Sequence, residues 1–181
     1  MSAELREAVK LLRDGGIICH ACEGVWGFAC DPFNAAAVRR VLEIKQRPQS
    51  KGLIVIADEA TKFESELTQL NSETRARVEQ SWPGRTTWLL PTSRFPKWVV
   101  GDNTTVAARV PGHEQAREIA AMFRHPIVST SANIANDPPC LTENEARERF
   151  GGIVDHVVHG ATGQATGPSE IFDALSGDQI R

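Results

Sequence analysis

The sequence predicts an α/β fold in which helices pack against a mixed sheet. Three observations support this: apolar residues recur at helical spacing, short apolar runs suited to buried strands separate those segments, and Gly or Pro marks the junctions. The chain has 181 residues, enough to bury about 70% of the surface of its unfolded form. No internal repeat or linker is visible, so we expect a single domain over residues 1–181.

The N-terminal half begins with a predicted helix whose apolar face carries Leu5, Ala8, Val9 and Leu12. Ser2 can cap its start, and the pair Gly15-Gly16 can end it. A strand is then expected at 17–21 and a turn at DPFN (31–34). The spacing of Val38, Val41 and Leu42 predicts a helix over 35–45, and LIVIA predicts a strand over 53–57.

The C-terminal half repeats this alternation. Two helices are expected between residues 59 and 81, after which WPG turns the chain into a strand at 86–91. A further strand at 105–110, a helix at 113–123 and a short strand at 126–129 follow. The spacing of Thr142 and Glu145 predicts a capping box at the start of the next helix.

Composition excludes several classes of protein. The chain is 41% hydrophobic with a net charge of −3, which argues against a general nucleic-acid coat protein but not against a local basic patch. No apolar run approaches the roughly 20 residues that a membrane span requires. The N-terminus is acidic and helical, without the basic and apolar segments of a secretory signal, so we expect a cytoplasmic protein.

The cysteines do not predict a metal site. Cys19 and Cys22 form one C-x-x-C pair, but a structural zinc site normally uses a second pair, and Cys30 and Cys140 stand alone. Positions 19 and 22 of a strand also point to opposite faces. We therefore expect reduced, buried cysteines that act as small hydrophobic residues.

Two loops carry the candidate chemistry. The stretch EIKQRPQSKG (43–52) places Lys45, Arg47 and Lys51 between a predicted helix and a buried strand. Arg offers a planar fork for two phosphate oxygens and Lys a compact charge, so this loop suits a polyphosphate or a carboxylate. The second loop follows a predicted strand and carries hydroxyl and amide groups at Ser129, Thr130, Ser131 and Asn133. On these residues alone, a solvated basic loop and a turn-capping polar loop remain open alternatives.

Common catalytic signatures are absent from the sequence. It contains neither the G-x-x-x-x-G-K-[ST] of a Walker ATPase nor a G-x-G-x-x-G after a strand. It also lacks the G-x-S-x-G elbow of esterases and the H-E-x-x-H pair of zinc proteases. The chemistry must therefore be inferred from the arrangement of the loops.

Six separated segments together resemble one family. They are GGIICHACEGVWGFACDPFN, LEIKQRPQSKGLIVIA, WPGRTT, TVAARVP, PIVSTSAN and GPSEIFD. Their order and spacing resemble the YrdC-like family, and within it the short bacterial TsaC branch of threonylcarbamoyl-AMP synthases. The resemblance covers nearly the whole chain and implies a twisted open α/β sheet curved around a basic cavity.

The resemblance also implies a reaction. Such enzymes combine L-threonine, bicarbonate and ATP, with Mg²⁺, into L-threonylcarbamoyladenylate and diphosphate. This is the first step in forming N6-threonylcarbamoyladenosine in tRNA, and downstream transfer proteins complete it.

Family roles can be carried over to matching positions. Lys45, Arg47 and Lys51 match the catalytic basic loop that neutralises the triphosphate. Further positions imply nucleotide binding, namely Thr105, Ser131, Asn133 and the terminal Arg181, which we expect to contribute less because chain ends fray. The remaining positions imply threonine binding, namely Cys22, Gly24, Arg109, Ser129 and Ser169. No metal-ligating residue is implied.

The sequence departs from the family where the threonine pocket is expected. The family usually has Pro-Thr-Asp/Glu-Thr-Val-Tyr-Gly where this chain reads ACEGVWG, so Cys22 and Gly24 replace two hydroxyl residues. Arg85 replaces the usual proline after WPG and adds a cation.

Three hypotheses follow. The chain is a synthase, a module that binds double-stranded RNA or tRNA on the same basic surface, or an inactive scaffold in a tRNA-modification assembly. RNA binding through Lys and Arg would depend strongly on salt.

Overall fold

An eight-stranded mixed sheet forms the centre of the protein. The structure, a computed structural model, describes residues 2–165 and 167–181. The strands in these residues are β1 (Ile18–Ala21), β2 (Trp26–Cys30), β3 (Ile54–Ile56), β4 (Thr86–Pro91), β5 (Thr105–Arg109), β6 (Ile127–Ser131), β7 (His156–Val157) and β8 (Glu170–Asp173). Their order across the sheet is β7-β1-β2-β6-β3-β5-β4-β8. The pairs β1–β7, β3–β5 and β4–β8 are parallel, and the other neighbouring pairs are antiparallel.

Helices cover both faces of this sheet. They are α1 (Ala3–Arg13), α2 (Ala35–Lys45), α3 (Glu64–Leu67), α4 (Ser72–Gln80), α5 (Lys97–Val100), α6 (Glu114–Phe123) and α7 (Glu143–Phe150). Helices α1 and α6 bury their apolar residues in one cluster with Ile18 and Ile127. Residues of α2, α5 and α7 join the larger cluster around Phe28 and Val55 on the other face. The predicted α/β fold with a mixed sheet is therefore confirmed.

Several predicted helix ends are also confirmed. The Ser2 hydroxyl accepts a hydrogen bond from the Leu5 amide at the start of α1. Thr142 and Glu145 form the predicted capping box at the start of α7. Because these caps depend on side chains three positions apart, they can be identified without knowledge of the fold.

The sheet also contains strands that the pattern did not predict. Strand β2 reads WGFAC and is buried throughout, so it has no alternation of polar and apolar residues. Strand β7 has only two residues, and β8 lies at the sheet edge next to β4. These strands are defined by their neighbours, since their own residues carry little strand pattern.

The two cysteines of the C-x-x-C pair lie on opposite faces. Cys19 belongs to the cluster around Phe28, and Cys22 belongs to the cluster beneath α1 and α6. All four cysteines are buried with free thiols. Burial raises the pKa of Cys19 and of Cys30, which favours the neutral thiol.

None of the helices in the described part of the chain has the length and apolar character that a membrane crossing requires.

Candidate functional site

A cavity of about 300 Å³ lies against the centre of the sheet, within the size range of small-molecule sites. Strand β5 shows how the sheet forms its floor. Thr105, Ala107 and Arg109 line the cavity, whereas the intervening Val106 and Ala108 belong to the core on the other face. The two-residue period of a strand thus separates the site from the larger core.

The basic loop supplies one wall of the cavity. Helix α2 ends at Lys45, and Gln46 takes a left-handed conformation that turns the chain away. Arg47 and Lys51 then line the cavity. The Arg47 guanidinium donates to the Gly52 carbonyl through Nε (3.3 Å) and Nη2 (3.1 Å), and burial lowers its pKa. These hydrogen bonds hold the Arg47 guanidinium at the cavity wall.

Lys45 lies behind this wall and is not among the residues that line the cavity. Its ammonium donates to the Ser131 carbonyl, and to the Asn133 carbonyl (3.1 Å) and Oδ1 (3.0 Å). Burial, together with the nearby Arg47 charge, lowers the Lys45 pKa to about 8. In this structure Lys45 ties the end of α2 to the loop that follows β6.

The second polar loop is internally bonded. The Ser131 hydroxyl donates to Asn133 Oδ1 (2.6 Å), and Asn133 Nδ2 donates to the carbonyls of Ile134 (2.8 Å) and Asp137 (2.9 Å). Ser131 lines the cavity, but Asn133 does not. Asn133 therefore shapes the loop that presents Ser131.

Arg109 forms a buried ion pair inside the cavity. Its Nη2 lies 3.1 Å from Glu23 Oε2, and Glu23 Oε1 accepts a hydrogen bond from the Gly112 amide at 2.6 Å. Arg109 Nε is buried without a hydrogen-bond partner. The Arg109 side chain also lines the cavity, and a planar guanidinium there is suited to receive an anionic group.

Residues 22–24 pack against residues 163, 165 and 167. The Gly163 amide donates to the Cys22 carbonyl (3.1 Å), and the Ala165 amide donates to the Glu23 carbonyl (3.2 Å). A Cβ on Gly24 would lie 2.4 Å from the Gly167 carbonyl oxygen. Only glycine fits this contact. Gly24, which stands where the family usually has a hydroxyl residue, therefore lets two walls of the cavity pack closely.

The hydroxyl of Ser129 lies at the inner end of the cavity. It is 3.2 Å from His20 Nε2 and 3.9 Å from the Cys22 sulfur. Ser129 and Cys22 line the cavity, while His20 lies fully buried beneath them.

The far end of the cavity is formed by Ser169 and Arg181. The Ser169 hydroxyl accepts from Thr87 Oγ1 (2.9 Å), and Arg181 donates to the Ser169 carbonyl through Nη2 (2.9 Å). The Ile171 amide donates to the Arg181 carbonyl at 3.0 Å, so this last residue is held by backbone bonds rather than frayed as expected. Burial lowers the Arg181 pKa, and the charges of Arg47 and Arg109 lower it further.

The structure thus brings most of the sequence-predicted site residues together. Those lining the cavity are Cys22, Gly24, Arg47, Lys51, Thr105, Arg109, Ser129, Ser131, Ser169 and Arg181. Lys45 and Asn133 lie outside the lining and support it. Sequence reasoning assigned no role to Glu23 or His20, because only the fold reveals their contacts with Arg109 and Ser129. Arg85 also lines the cavity, and its Nη2 donates to the Pro168 carbonyl at 3.2 Å.

Comparison with known families and proteins gives matches over nearly the whole chain. The sequence matches the family described as Sua5_yciO_yrdC, telomere recombination, over residues 10–181. It is 42% identical over 178 residues to the threonylcarbamoyl-AMP synthase of Nitrosococcus oceani, covering 98% of this chain and 96% of that protein. It is also 42% identical over 180 residues to the protein of the same name from Vibrio cholerae, covering 98% and 96%.

Solved structures agree with the fold. The P. abyssi Sua5 structure complexed with L-threonine matches with a TM-score of 0.87 and 28% identity, covering 93% of this chain and 50% of that protein. E. coli YciO matches with a TM-score of 0.80 and 22% identity, covering 93% of this chain and 82% of that one.

Proposed function

Because the chain belongs to the Sua5/YciO/YrdC family, we propose that it is a threonylcarbamoyl-AMP synthase. It joins L-threonine, bicarbonate and ATP into L-threonylcarbamoyladenylate and diphosphate, the first step toward N6-threonylcarbamoyladenosine in tRNA. One observation carries the proposal: proteins of that name align with this chain over 98% of its length at 42% identity. The cavity supports it with cations and hydroxyl groups of the kind that the substrates require.

The triphosphate fits the charge of the cavity. Among the described lining residues, the cations are Arg47, Lys51, Arg85, Arg109 and Arg181, and the carboxylate is Glu23. In our proposal Arg47, Lys51 and Arg181 neutralise the triphosphate, with Thr105 and Ser131 as hydroxyl contacts. Lys45 and Asn133 act indirectly by holding the loop that carries Ser131.

Magnesium enters this proposal as part of the MgATP substrate. Protein sites usually hold Mg²⁺ through one or two carboxylates together with substrate phosphates. The Glu23 carboxylate is already engaged by Arg109 and by the Gly112 amide. The lining residues therefore do not form a resident magnesium site, and we assign no catalytic step to one.

In our proposal, threonine binds beside Arg109 in the same cavity. Arg109 pairs with its carboxylate, while Cys22, Gly24, Ser129 and Ser169 form the surrounding surface. The threonine amine and bicarbonate give a carbamate and water. A carbamate oxygen then attacks the α-phosphorus, and the bond from this phosphorus to the diphosphate oxygen breaks. No covalent enzyme intermediate is needed, because positioning and charge neutralisation can supply the catalysis.

A pyrophosphate-release assay with each substrate omitted in turn tests this function. Release should require ATP, threonine and bicarbonate together. Serine lacks one methyl group, which is worth about 1–3 kcal/mol in an apolar pocket, so we expect it to be roughly 10–200-fold poorer. Turnover of ATP that proceeds equally without threonine, or no turnover in folded protein, would contradict the proposal.

The proposal extends to the location of the reaction and to the proteins that receive its product. We propose that the protein acts in the cytoplasm and passes its adenylate to proteins that transfer the threonylcarbamoyl group to tRNA. We also propose that residues 1–181 act as one domain, because the cavity draws on strands from both halves of the chain. If folded protein shows no turnover but binds RNA in a salt-sensitive way, the RNA-binding alternative replaces this function.

A further inference from the structure

A buried histidine contacts the hydroxyl at the inner end of the cavity. His20 lies on β1 and is 0% exposed, so it meets no solvent and does not line the cavity. Its Nε2 lies 3.2 Å from Ser129 Oγ, and its Nδ1 lies 3.1 Å from the Ala21 carbonyl oxygen. Both ring nitrogens therefore have a partner, and the two partners differ in kind.

These partners fix the proton positions. A carbonyl oxygen can only accept, so Nδ1 must carry the proton that the Ala21 carbonyl receives. Burial lowers the His20 pKa to about 4 even though the hydrogen bond to the Ala21 carbonyl acts in the opposite direction, so the ring is neutral at pH 7. In a neutral ring with a proton on Nδ1, Nε2 is an acceptor. The Ser129 hydroxyl must therefore donate its only proton to His20.

This arrangement gives Ser129 a defined chemical character on the cavity side. Because its proton is engaged beneath the cavity, its oxygen offers only lone pairs to a ligand or to the Cys22 thiol 3.9 Å away. Burial raises the pKa of that thiol, and the Arg109 guanidinium lies close enough to oppose the shift. An acceptor-only oxygen and a carboxylate-binding guanidinium thus flank Cys22.

We propose that His20 is a positioning residue that holds Ser129 as an acceptor for the α-amino group of the amino-acid substrate whose carboxylate pairs with Arg109. The proposal rests on the synthase function and adds to it a buried residue that selects for a hydrogen-bond donor. An α-amino acid fits because its ammonium donor and its carboxylate are separated by a single carbon, and Ser129 and the Arg109 guanidinium both lie beside the Cys22 thiol. His20 makes no contact with the substrate and exchanges no proton during the reaction.

The tautomer of His20 can be observed directly. Long-range ¹H–¹⁵N NMR of ¹⁵N-labelled protein at pH 7 distinguishes the two neutral tautomers from the charged ring, and a His20→Gln sample assigns the signal. We expect the neutral form with the proton on Nδ1. A proton on Nε2, or a charged imidazolium, would overturn the proposal whatever the enzyme activity.

Threonine binding by calorimetry tests the consequence. Ser129→Ala removes the acceptor and should weaken threonine binding roughly tenfold. His20→Leu frees the Ser129 proton to face the cavity and should weaken it about three- to tenfold. His20→Gln provides an amide that can donate to Ala21 and accept from Ser129, so it should restore most of the affinity.

A double variant separates positioning from general damage. If His20 acts through Ser129, adding His20→Leu to Ser129→Ala should cause no further loss of threonine affinity. Affinity for a nonhydrolysable ATP analogue, measured in parallel, should stay unchanged and shows that each variant is folded. Additive losses, or equal threonine affinity in all variants, would overturn the proposal.

The outcomes also separate this proposal from the function on which it rests. Unaltered protein that neither binds threonine nor releases pyrophosphate with it would overturn the synthase function, and with it the assigned ligand. Unaltered protein that does both, while His20→Leu behaves like the unaltered protein, would overturn the positioning role alone.

Discussion

The three basic residues at the end of α2 and in the loop after it have charges in different surroundings. Arg47 and Lys51 line the cavity, whereas Lys45 is 3% exposed and its ammonium is surrounded by acceptors from residues 131 and 133. The sequence predicted the cluster of three cations. It could not separate the three roles, because burial depends on how α2 packs against the end of β6.

The first prediction compares Arg47, which lines the cavity, with Arg39, which does not. Arg47→Ala should weaken binding of a nonhydrolysable ATP analogue at least tenfold, since a charge-assisted phosphate contact is worth about 1.5–3 kcal/mol. Arg39→Ala is the matched control, because Arg39 is exposed on α2 and lies outside the cavity lining. Calorimetric titration measures both, and equal affinities would mean that the basic loop is a solvated surface feature.

The second prediction concerns stability and His20. Its pKa of about 4 in the folded protein lies below the ordinary value of 6.5, so between these values the unfolded chain binds a proton that the folded protein does not. Stability contributed by His20 is therefore complete above pH 6.5 and is lost as the pH falls toward 4. At about 1.4 kcal/mol per pH unit, the loss approaches about 3 kcal/mol.

The variant His20→Gln cannot titrate, so its free energy of unfolding should fall less between pH 7 and pH 4.5 than that of the unaltered protein. Urea denaturation at both pH values measures the difference. If the two proteins lose the same stability over this interval, His20 does not titrate as the buried environment implies.

At the scale of elements, local sequence patterns predicted most of the helices and strands. The remaining strands are defined by their place in the sheet. Helices α1, α2 and α6 follow their apolar stripes because each buries one face on the sheet. Strand β2 has no such pattern, because neighbours on both edges and cores on both faces bury it completely. A strand of this kind can be identified only when its partners β1 and β6 are known.

The third prediction tests the link between α2 and the loop after β6. Lys45→Met preserves length but removes the ammonium that donates to the carbonyls of Ser131 and Asn133, and should lower the free energy of unfolding by about 1–3 kcal/mol. Lys51→Met should change stability by less than about 0.5 kcal/mol, because Lys51 is exposed. Instead, Lys51→Met should weaken binding of the ATP analogue.

Urea denaturation of both lysine variants, together with calorimetric titration, provides the two readouts. Equal stability of the two variants would show that the Lys45 contacts do not hold the cavity wall. A Lys51→Met protein with unchanged nucleotide affinity would remove Lys51 from the proposed triphosphate site.

At the scale of the whole molecule, the cavity combines residues that are far apart in sequence. Gly24 packs against the Gly167 carbonyl, and Arg181 donates to Ser169 from the last position of the chain. The family resemblance predicted that such positions meet. The residue pattern without the resemblance could not predict it, because the sheet order β1-β2-β6-β3-β5-β4-β8 that relates these segments is set by nonlocal strand pairing.

This convergence of cations leads to the last prediction. Burial lowers the Arg181 pKa, and the charges of Arg47 and Arg109, which line the same cavity, lower it further, so these like charges repel one another. A bound polyphosphate relieves this repulsion and binds only the folded state. At a hundred times its dissociation constant, a ligand adds about 2.7 kcal/mol to stability. For a domain of this size, that should raise Tm by roughly 5–10 °C.

Thermal unfolding with an ATP analogue or inorganic triphosphate measures the effect, and adenosine is the control because it lacks phosphate. We expect a smaller shift with adenosine, and a shift with triphosphate that shrinks as salt concentration rises, since salt screens the attraction. Arg47→Ala should shrink it as well. If duplex RNA raises Tm while neither ATP analogue nor triphosphate does, the cations serve an RNA backbone instead of a nucleotide, and the synthase function loses its charge-based support.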